Sequence, residues 1–301
     1  MKTYLITGGA GFIGTNLSER LVAEGERVIV VDDLSAGKRE RLPQAVEFHK
    51  LDICATDELE KVLQGVDTIV HLAAIPRVQT SIEKPFETFQ VNVMGTLSVL
   101  ESARKVGVKR IVYAASSSAY GEQEILPLKE TLPPQPKHPY GLQKYNGEVL
   151  MRIWHEIHGL ETVSLRFFNV YGPHLDPEGA YALVIGKFLK QRSLGEPLTI
   201  VGDGEQTRDF THVRDTVDAI IRASVSDKVG AGEVLNVGAG NSVSINELAE
   251  RIGGPVIHIP ERVEAKHSLA DTTLSRTLLG WRPVVSLEDG ITELKKTFGL
   301  V

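Results

Sequence analysis

A glycine-rich segment near the N-terminus, Gly8-Gly-Ala-Gly-Phe-Ile-Gly14, constrains the fold of this chain more than any other feature. It follows a short apolar stretch, Tyr4 to Thr7, that predicts a β-strand, and it precedes Thr15 to Ala23, whose apolar spacing predicts a helix. Glycines at such a junction let the chain turn sharply, and the amides at the helix start can then bind a pyrophosphate. The segment therefore indicates a dinucleotide-binding site.

An acidic residue follows at the distance that such a site needs. The stretch Val28 to Val31 predicts a second strand, and it ends at Asp32, 18 positions after Gly14. A carboxylate at this strand end can accept hydrogen bonds from both ribose hydroxyls of adenosine and repels a 2′-phosphate. NAD is therefore favoured, although Lys38 and Arg39 could receive a phosphate and leave NADP open.

Strand and helix predictions alternate through the rest of the first half. They are a strand at Val46 to Lys50, a helix at Asp57 to Gln64, a strand at Thr68 to His71, a helix at Phe89 to Lys105 and a strand at Arg110 to Ala114. Such alternation predicts a parallel, doubly wound α/β sheet that binds its ligands at the carboxyl ends of the strands. At one of these ends, Leu51-Asp52-Ile53 could hold adenine. At another, the small residues of Leu72-Ala73-Ala74 could let the cofactor lie against the main chain. Asn92, in the predicted helix, is a site residue or a solvated helix asparagine.

The stretch from Ser116 to Lys144 carries the candidate chemistry. Five prolines between Pro127 and Pro139 prevent a helix there, so a helix can begin only at about Pro139. Tyr140 and Lys144 then lie one turn apart on one helix face, and the lysine charge can favour a tyrosine phenolate that acts as a base. A serine at the strand end could hydrogen-bond the same substrate oxygen.

Composition excludes several other classes of protein. The 301 residues carry a net charge of −6, which offers no basic face for nucleic acid or an anionic membrane. The single cysteine, Cys54, forms no intrachain disulfide, and the pair His155 and His158 lacks the spacing and third ligand of a zinc protease, so no metal site is expected. No apolar run is long enough for a membrane span, and we expect a cytoplasmic protein.

The second half contains irregular segments that we assign to a substrate lobe. Predicted elements are a strand at Thr162 to Arg166, helices at Tyr181 to Lys190 and Val213 to Val225, and a strand at Val234 to Val237 that could rejoin the first sheet. Residues 1–172 and about 211–238 would form the dinucleotide domain, and residues 173–210 and 239–301 the substrate domain. Arg208 could bind a phosphate or form a surface salt bridge.

The motifs together resemble one known family. They are Gly8 to Gly14, Asp32, Asp52-Ile53, His71 to Ala74, Asn92 with Gly95-Thr96, Ser116 with Tyr120-Gly121, Tyr140 with Lys144, Arg166 to Gly172, and Arg208-Asp-Phe. The chain resembles the extended short-chain dehydrogenases, and among them the NAD-dependent epimerase/dehydratase family that acts on nucleotide sugars. The likeness covers nearly the whole length. It implies a Rossmann domain with tightly held NAD, a smaller α/β domain that binds a nucleotide sugar such as a UDP-sugar, and a homodimer.

The resemblance also implies roles for individual positions. Ser116, Tyr140 and Lys144 would be catalytic. The residues implied to contact NAD are Gly8, Gly11, Phe12, Ile13, Gly14, Asp32, Asp33, Ser35, Asp52, Ile53, Leu72, Ala73, Ala74, Asn92, Tyr140, Lys144 and Phe167. The residues implied to contact the sugar nucleotide are Ser117, Ser118, Asn169, Val184, Thr199, Val201, Arg208, Arg262 and Ser268.

Two serines distinguish the reactions within this family. Sugar-nucleotide 4,6-dehydratases have an Asp-Glu pair where this chain has Ser117 and Ser118, and UDP-glucuronate decarboxylases have a glutamate at Ser118. What remains resembles 4-epimerisation of a UDP-hexose through a transient 4-keto sugar. Ser268, at the position that gates the hexose pocket, and Gly179-Ala-Tyr181 imply room for an N-acetyl group. A dehydratase, a reductase with exchanging NAD and a non-catalytic NAD-binding sensor stay as alternatives.

Overall fold

The computed structural model describes residues 1–177, 184–260 and 265–300. The strands in chain order are β1 Thr3–Thr7, β2 Arg27–Asp32, β3 Glu47–Lys50, β4 Thr68–His71, β5 Arg110–Ser116, β6 Glu161–Phe167, β7 Val170–Tyr171, β8 Leu198–Val201, β9 Thr207–Arg208, β10 Thr211–His212, β11 Ala231–Val237, β12 Val243–Ser244 and β13 Val256–Ile259. The α-helices are α1 Phe12–Ala23, α2 Thr56–Val62, α3 Val78–Glu83, α4 Pro85–Phe89, α5 Gly95–Val106, α6 Pro139–His158, α7 Val184–Ser193, α8 Val213–Val225, α9 Ile245–Ile252, α10 Thr273–Leu279 and α11 Leu287–Thr297.

Seven of the strands form one parallel sheet in the order β11-β6-β5-β4-β1-β2-β3. The predicted doubly wound α/β fold is therefore confirmed, and β11 does rejoin the sheet. The strand order reverses at β1, which pairs with β2 on one side and β4 on the other. Sheets of this kind open a crevice at the carboxyl ends of the strands where the order reverses. A ligand site is expected there.

The alternation of side chains along each strand supplies a core on both faces of the sheet. In β1, Tyr4 and Ile6 belong to one buried apolar cluster, and Leu5 belongs to the other. A third apolar cluster lies outside the sheet and contains residues of α7, β8, α9 and α11, such as Phe188 and Leu248. The predicted boundaries of the two domains stay a prediction.

The predicted helix from Phe89 to Lys105 is present, although it begins at Pro85 and contains a π-helical turn at Gln90–Met94 between α4 and α5. The wider turn lets the side chain of Asn92 reach the main chain of Ile75, where it accepts a hydrogen bond from N at 2.7 Å and donates to O at 3.1 Å. These partners are distant in sequence, so the apolar spacing of the segment could not reveal the π turn.

Three predictions fall on residues that the structure does not describe. They are Arg262, the segment Gly179 to Tyr181, and the first three residues of the predicted helix at Tyr181 to Lys190, of which the described part is α7. In the described ranges, no helix combines the length and apolar character that crossing a membrane requires.

Candidate active site

A cleft of about 1270 Å³ opens at the carboxyl ends of the strands, where the order of the sheet reverses. Nearly all of the residues predicted from sequence line it. Those from the dinucleotide group are Gly8, Gly11, Phe12, Ile13, Gly14, Asp32, Asp33, Ser35, Asp52, Ile53, Leu72, Ala73, Ala74 and Phe167. Those from the catalytic and substrate groups are Ser116, Ser117, Ser118, Tyr140, Lys144, Asn169, Val184, Thr199, Val201, Arg208 and Ser268.

The glycine segment shapes one end of this cleft. Gly8 has a φ of +66°, and a Cβ there would lie 2.7 Å from the amide nitrogen of Ala73, so only glycine lets the loops after β1 and β4 approach so closely. Helix α1 begins directly after Gly11 and has no acidic residue in its first turn. The positive end of its dipole faces the cleft next to these glycines, which suits a pyrophosphate.

Asp32 lies at the carboxyl end of β2, on the wall beside the glycine segment. Its Oδ2 accepts a hydrogen bond from Ala10 N at 3.0 Å, and its Oδ1 accepts one from Leu34 N at 2.8 Å. The residue is 7% exposed, and burial raises the pKa of its carboxyl group above the usual value while the two amides oppose that shift. Each carboxylate oxygen has a second lone pair for a ribose hydroxyl. Glycine loop, helix start and carboxylate thus fit a dinucleotide.

Helix α6 carries two of the three catalytic candidates and packs on β5, β6 and β11, at one side of the sheet. His138 caps its start by accepting a hydrogen bond from Gly141 N at 3.1 Å, and Pro139 occupies the first turn as predicted. A Cβ at Gly141 would lie 2.7 Å from Ser118 O, and one at Gly147 would lie 2.2 Å from the hydroxyl of Tyr113. A glycine inside a helix lowers its stability by about 1 kcal/mol relative to alanine. Here the two glycines allow α6 to contact β5 and the serine turn closely.

Tyr140 and Lys144 both reach the cleft from this helix. Tyr140 is 8% exposed, and its main-chain N–H donates to Ser81 Oγ of α3 at 3.1 Å. Lys144 is 4% exposed, and its Nζ donates to Ala114 O of β5 at 2.8 Å. Burial lowers the pKa of Lys144 to about 7, an effect that Glu148 opposes. The lysine is therefore poised to change its charge near neutral pH.

Ser116 ends β5, and Ser117 and Ser118 begin a 3₁₀ turn, Ser117–Ala119, that borders the cleft. Ser116 Oγ accepts a hydrogen bond from Ser118 N at 3.1 Å, which fixes the direction of the hydroxyl group. In the described chain, no other hydrogen bond involves this hydroxyl, so its proton can be donated to a ligand oxygen. Ser117 and Ser118 also face the cleft and contribute no carboxylate.

The opposite wall is built from the segments around Asn169, Arg208 and Ser268. Asn169 Nδ2 donates to Asp209 O at 2.9 Å, and Ser268 Oγ accepts from Asp209 N at 3.3 Å. The Asp209 carboxylate accepts further bonds from three main-chain amides of neighbouring segments. Arg208 Nη1 donates to the carbonyls of Thr207 and Lys266, which directs the guanidinium along the wall. Arg208 therefore lies in the cleft wall, where its guanidinium could contact a ligand.

Asn92 is the described exception among the predicted site residues. It is 2% exposed, does not line the cleft, and donates to Gln143 Oε1 at 2.7 Å in addition to its two bonds with Ile75. Gln143 lies between Tyr140 and Lys144 on α6, so Asn92 supports the cleft wall from behind. The direct cofactor contact that the resemblance implies for Asn92 stays a prediction.

Several cleft residues were not predicted from sequence. They include Arg77, Gln79, His138, Asp176, Lys187 and His267. One of these could have been found, because Lys187 stands three positions after Val184 on α7 and therefore shares its helix face. The others come from loops or helix ends whose direction depends on tertiary contacts.

Comparisons with known proteins agree with this geometry. A family profile described as the NAD dependent epimerase/dehydratase family matches residues 4–238. The chain is 37% identical over 312 aligned positions to a UDP-glucose 4-epimerase of Mycolicibacterium smegmatis, an alignment that covers 99% of this chain and 98% of the relative. It is also 34% identical to a UDP-N-acetyl-alpha-D-glucosaminuronate decarboxylase of Bacillus cytotoxicus, with 99% and 98% covered.

A solved structure is similar over the same extent. The UDP-glucose 4-epimerase of Thermus thermophilus in complex with NAD superimposes with a TM-score of 0.92 and 33% sequence identity. The match covers 99% of this chain and 99% of that chain. This solved structure therefore shares the whole fold with the chain, while the reactions named for the two sequence relatives differ.

Proposed function

The chain belongs to the NAD-dependent epimerase/dehydratase family, and from that premise we propose that it is a UDP-sugar 4-epimerase with tightly held NAD. The observation that carries the proposal is the convergence of Ser116, Tyr140 and Lys144 beside the glycine segment in one cleft. A binding module has no need for a buried lysine or for a tyrosine one turn away. The trio therefore favours an enzyme over a non-catalytic sensor.

The residues of the cleft divide between two ligands. Gly8 to Gly14 and Asp32 would hold the pyrophosphate and adenosine ribose of NAD, in a domain of residues 1–172 and about 211–238. Asn169, Arg208 and Ser268 would contact the UDP-sugar, in a domain of residues 173–210 and 239–301. Arg208 supplies the positive charge for a diphosphate, because a guanidinium donates two parallel hydrogen bonds to phosphate oxygens.

The proposed chemistry assigns one task to each catalytic side chain. Tyr140, as a phenolate, accepts the proton of the sugar 4-hydroxyl, and the Lys144 ammonium stabilises that phenolate. Ser116 donates its hydroxyl proton to the same sugar oxygen, since its acceptor capacity is partly used by Ser118 N. Bound NAD would supply the hydride acceptor for C4 and the donor for its return to the opposite face, which requires the 4-keto sugar to turn over in the cleft. Tyr140 then gives the proton back, so no net oxidation or proton release occurs.

Ser117 and Ser118 support epimerisation over the other reactions of the family. Elimination of water needs an additional acid and base, and neither serine hydroxyl can fill those roles near neutral pH. The similarity to a decarboxylase is the reason to keep decarboxylation of a UDP-uronate as the second candidate. That reaction would release carbon dioxide from a 4-keto uronate, a loss that 4-epimerisation does not involve.

We also propose that the protein forms a homodimer through α4, the π turn and α6. Four exposed apolar side chains lie on these segments, namely Phe86, Phe89, Met94 and Leu142. Phe86 is 92% exposed. Exposed aromatic and aliphatic side chains grouped on neighbouring helices favour association.

A product assay tests the proposed reaction. Purified protein is incubated without added NAD with UDP-glucose, UDP-N-acetylglucosamine or UDP-glucuronate, and the products are resolved by NMR of the sugar signals. We expect the C4 epimer of at least one substrate. A decarboxylated pentose nucleotide or a 4-keto-6-deoxy sugar as the main product would contradict the proposal.

A further inference from the structure

One turn beyond Lys144 on α6, Glu148 forms a buried ion pair with Arg166 of β6. Arg166 Nε and Nη2 donate to the two carboxylate oxygens at 2.8 and 2.7 Å, and both side chains are 3% exposed. A buried pair of this kind is usually no more stabilising than apolar side chains of the same volume. Stability alone therefore does not explain why this ion pair lies on the helix that carries Tyr140 and Lys144.

Glu148 is placed to act on the ammonium group of Lys144. Residues four positions apart lie on the same helix face, and the attraction of the carboxylate raises the pKa of Lys144 against the effect of burial. The two hydrogen bonds from Arg166 hold the Glu148 carboxylate against the guanidinium, so it does not pair directly with Lys144. The Lys144 Nζ is left to donate to Ala114 O and to reach the cleft.

Few other charges surround Lys144 in the described part of the chain. The titratable groups that face it or its helix come from β4, β5, α6 and β6, and they are His71, Tyr113, Tyr140, Glu148 and Arg166. Burial lowers the pKa of His71 to about 3 and raises the pKa of Tyr113 well above its usual value, so both are neutral at pH 7. Among these groups, Glu148 and Arg166 therefore supply the charges near this lysine; burial raises the pKa of Glu148, and its hydrogen bonds to Arg166 oppose that shift.

Arg166 is itself held in place by its surroundings. Its guanidinium lies 4.3 Å from the centroid of the Tyr120 ring, and the Tyr120 hydroxyl donates to Asn236 Oδ1 at 2.7 Å. Tyr120 directly follows the serine turn at Ser117–Ala119. The guanidinium therefore connects α6 to the segment that carries Ser116.

We propose that Glu148 and Arg166 are positioning residues that act through Lys144. Glu148 keeps the lysine charged inside the protein, and Arg166 limits that attraction so that the ammonium stays directed at the cleft. The inference rests on the proposed function, because the charge of Lys144 matters to catalysis only if Tyr140 acts as the base. The effect on Lys144 itself can be measured without any reaction.

The test is an NMR titration of the holoprotein labelled with ¹³C at lysine Cε, with Lys144→Met to assign the signal. We expect the wild-type signal to titrate at about pH 7. Glu148→Gln removes the attraction and leaves Arg166 unpaired, so the midpoint should fall by about one pH unit or more. Arg166→Met frees Glu148 to pair with the lysine, so the midpoint should rise.

The double variant Glu148→Gln, Arg166→Met leaves no unpaired buried charge and is the variant best suited to fold. Its midpoint should lie between those of Glu148→Gln and the wild type, because the attraction is lost without added repulsion. If Glu148→Gln does not fold, the proposal is tested by the two other variants. It requires a Lys144 midpoint below the wild-type value in the double variant and above the wild-type value in Arg166→Met. Circular dichroism confirms folding of each variant.

Glu161→Gln is the matched control, because it breaks an arginine pair, with Arg110, that involves the same strand β6. Its Lys144 midpoint should equal the wild-type value. Equal midpoints in all folded variants would overturn the proposal. In assays of epimerisation, the alkaline limb of the pH profile of kcat should shift among the variants in the same order as their Lys144 midpoints. If the midpoints follow the predicted order but neither the wild type nor any variant epimerises a UDP-sugar, the proposed function fails and the electrostatic coupling stands.

Discussion

Lys144 illustrates how a single residue can be retained at a cost in stability. Its ammonium group is buried, the Glu148 carboxylate one helix turn away is bonded to Arg166, and burial lowers the pKa of Lys144 from the ordinary 10.5 to about 7. Removing a charge from water is expensive even when hydrogen bonds compensate in part. The proposed catalytic role explains why a lysine stands there.

This cost predicts a pH-dependent stability difference between the wild type and Lys144→Met. The folded wild type loses the Lys144 proton at about pH 7, whereas the unfolded chain keeps it until about pH 10.5, so wild-type stability rises between these values. We expect NAD-free Lys144→Met to be more stable than the wild type at pH 6.5 and to have a much smaller advantage at pH 9. Urea midpoints at several pH values measure the difference.

Lys105→Met, at an exposed lysine on α5, is the control and should differ from the wild type by the same amount at each pH. An advantage of Lys144→Met that stays constant or grows with pH would contradict the account of this residue.

Ser268 offers a prediction about substrate choice. Its side chain lies on the cleft wall and is held by Asp209 N, so a larger residue there would project toward the proposed sugar site. Ser268→Tyr should reduce kcat/KM for UDP-N-acetylglucosamine by about tenfold more than for UDP-glucose. Ser268→Ala should leave the ratio of the two substrates unchanged, and an equal loss on both substrates in the tyrosine variant would refute the role as a gate.

At the scale of elements, the loop after β2 is tied to the loop that leads toward α7. Lys38 Nζ lies 2.9 Å from Asp176 Oδ2, and Arg41 Nη1 donates to His174 O at 3.0 Å. The amide of Lys38 also donates to Ala10 O in the glycine segment. These contacts join the proposed binding sites of NAD and of the sugar nucleotide across the mouth of the cleft.

We therefore expect Asp176→Asn to release NAD faster. The pairs are partly exposed, and exposed pairs contribute at most about 1 kcal/mol, so the release rate should rise about two- to fivefold. Loss of NAD from the purified holoprotein after dilution measures this rate. Asp218→Asn, which breaks the exposed pair with Arg222 on α8, serves as the control, and equal rates in both variants would count against the contact.

The elements that sequence predicted best are those with local signals. The strands β1, β2 and β5 are mostly apolar runs that end at or next to glycine, aspartate and serine, respectively, and α6 could begin only after its proline-rich loop. The π turn between α4 and α5 could not be predicted, because it depends on Asn92 meeting Ile75. Glu148 and Arg166 were missed for the same reason: two charged residues in separate elements look solvated until the fold brings them together.

At the scale of the whole molecule, the proposed dimer makes a direct prediction. Phe86→Asp together with Met94→Asp places two charges among the exposed apolar residues of α4 and the π turn, and should convert the dimer to a monomer. Light scattering after size exclusion measures the mass, for which one chain is 32.9 kDa. Val284→Asp, at an exposed valine elsewhere on the surface, should stay dimeric. A wild-type protein that is monomeric would refute the proposal.

We propose that one cleft removes hydride from C4 and a proton from the 4-hydroxyl group of a UDP-sugar, and returns both without releasing the cofactor. The most direct measurement follows deuterium from UDP-glucose labelled at C4 into UDP-galactose, by NMR and mass spectrometry, with no NAD added. We expect the product to retain the deuterium at C4, and the Tyr140→Phe holoprotein to form it at least about 100-fold more slowly. Product without deuterium, or product formed only when NAD is supplied, would contradict the account.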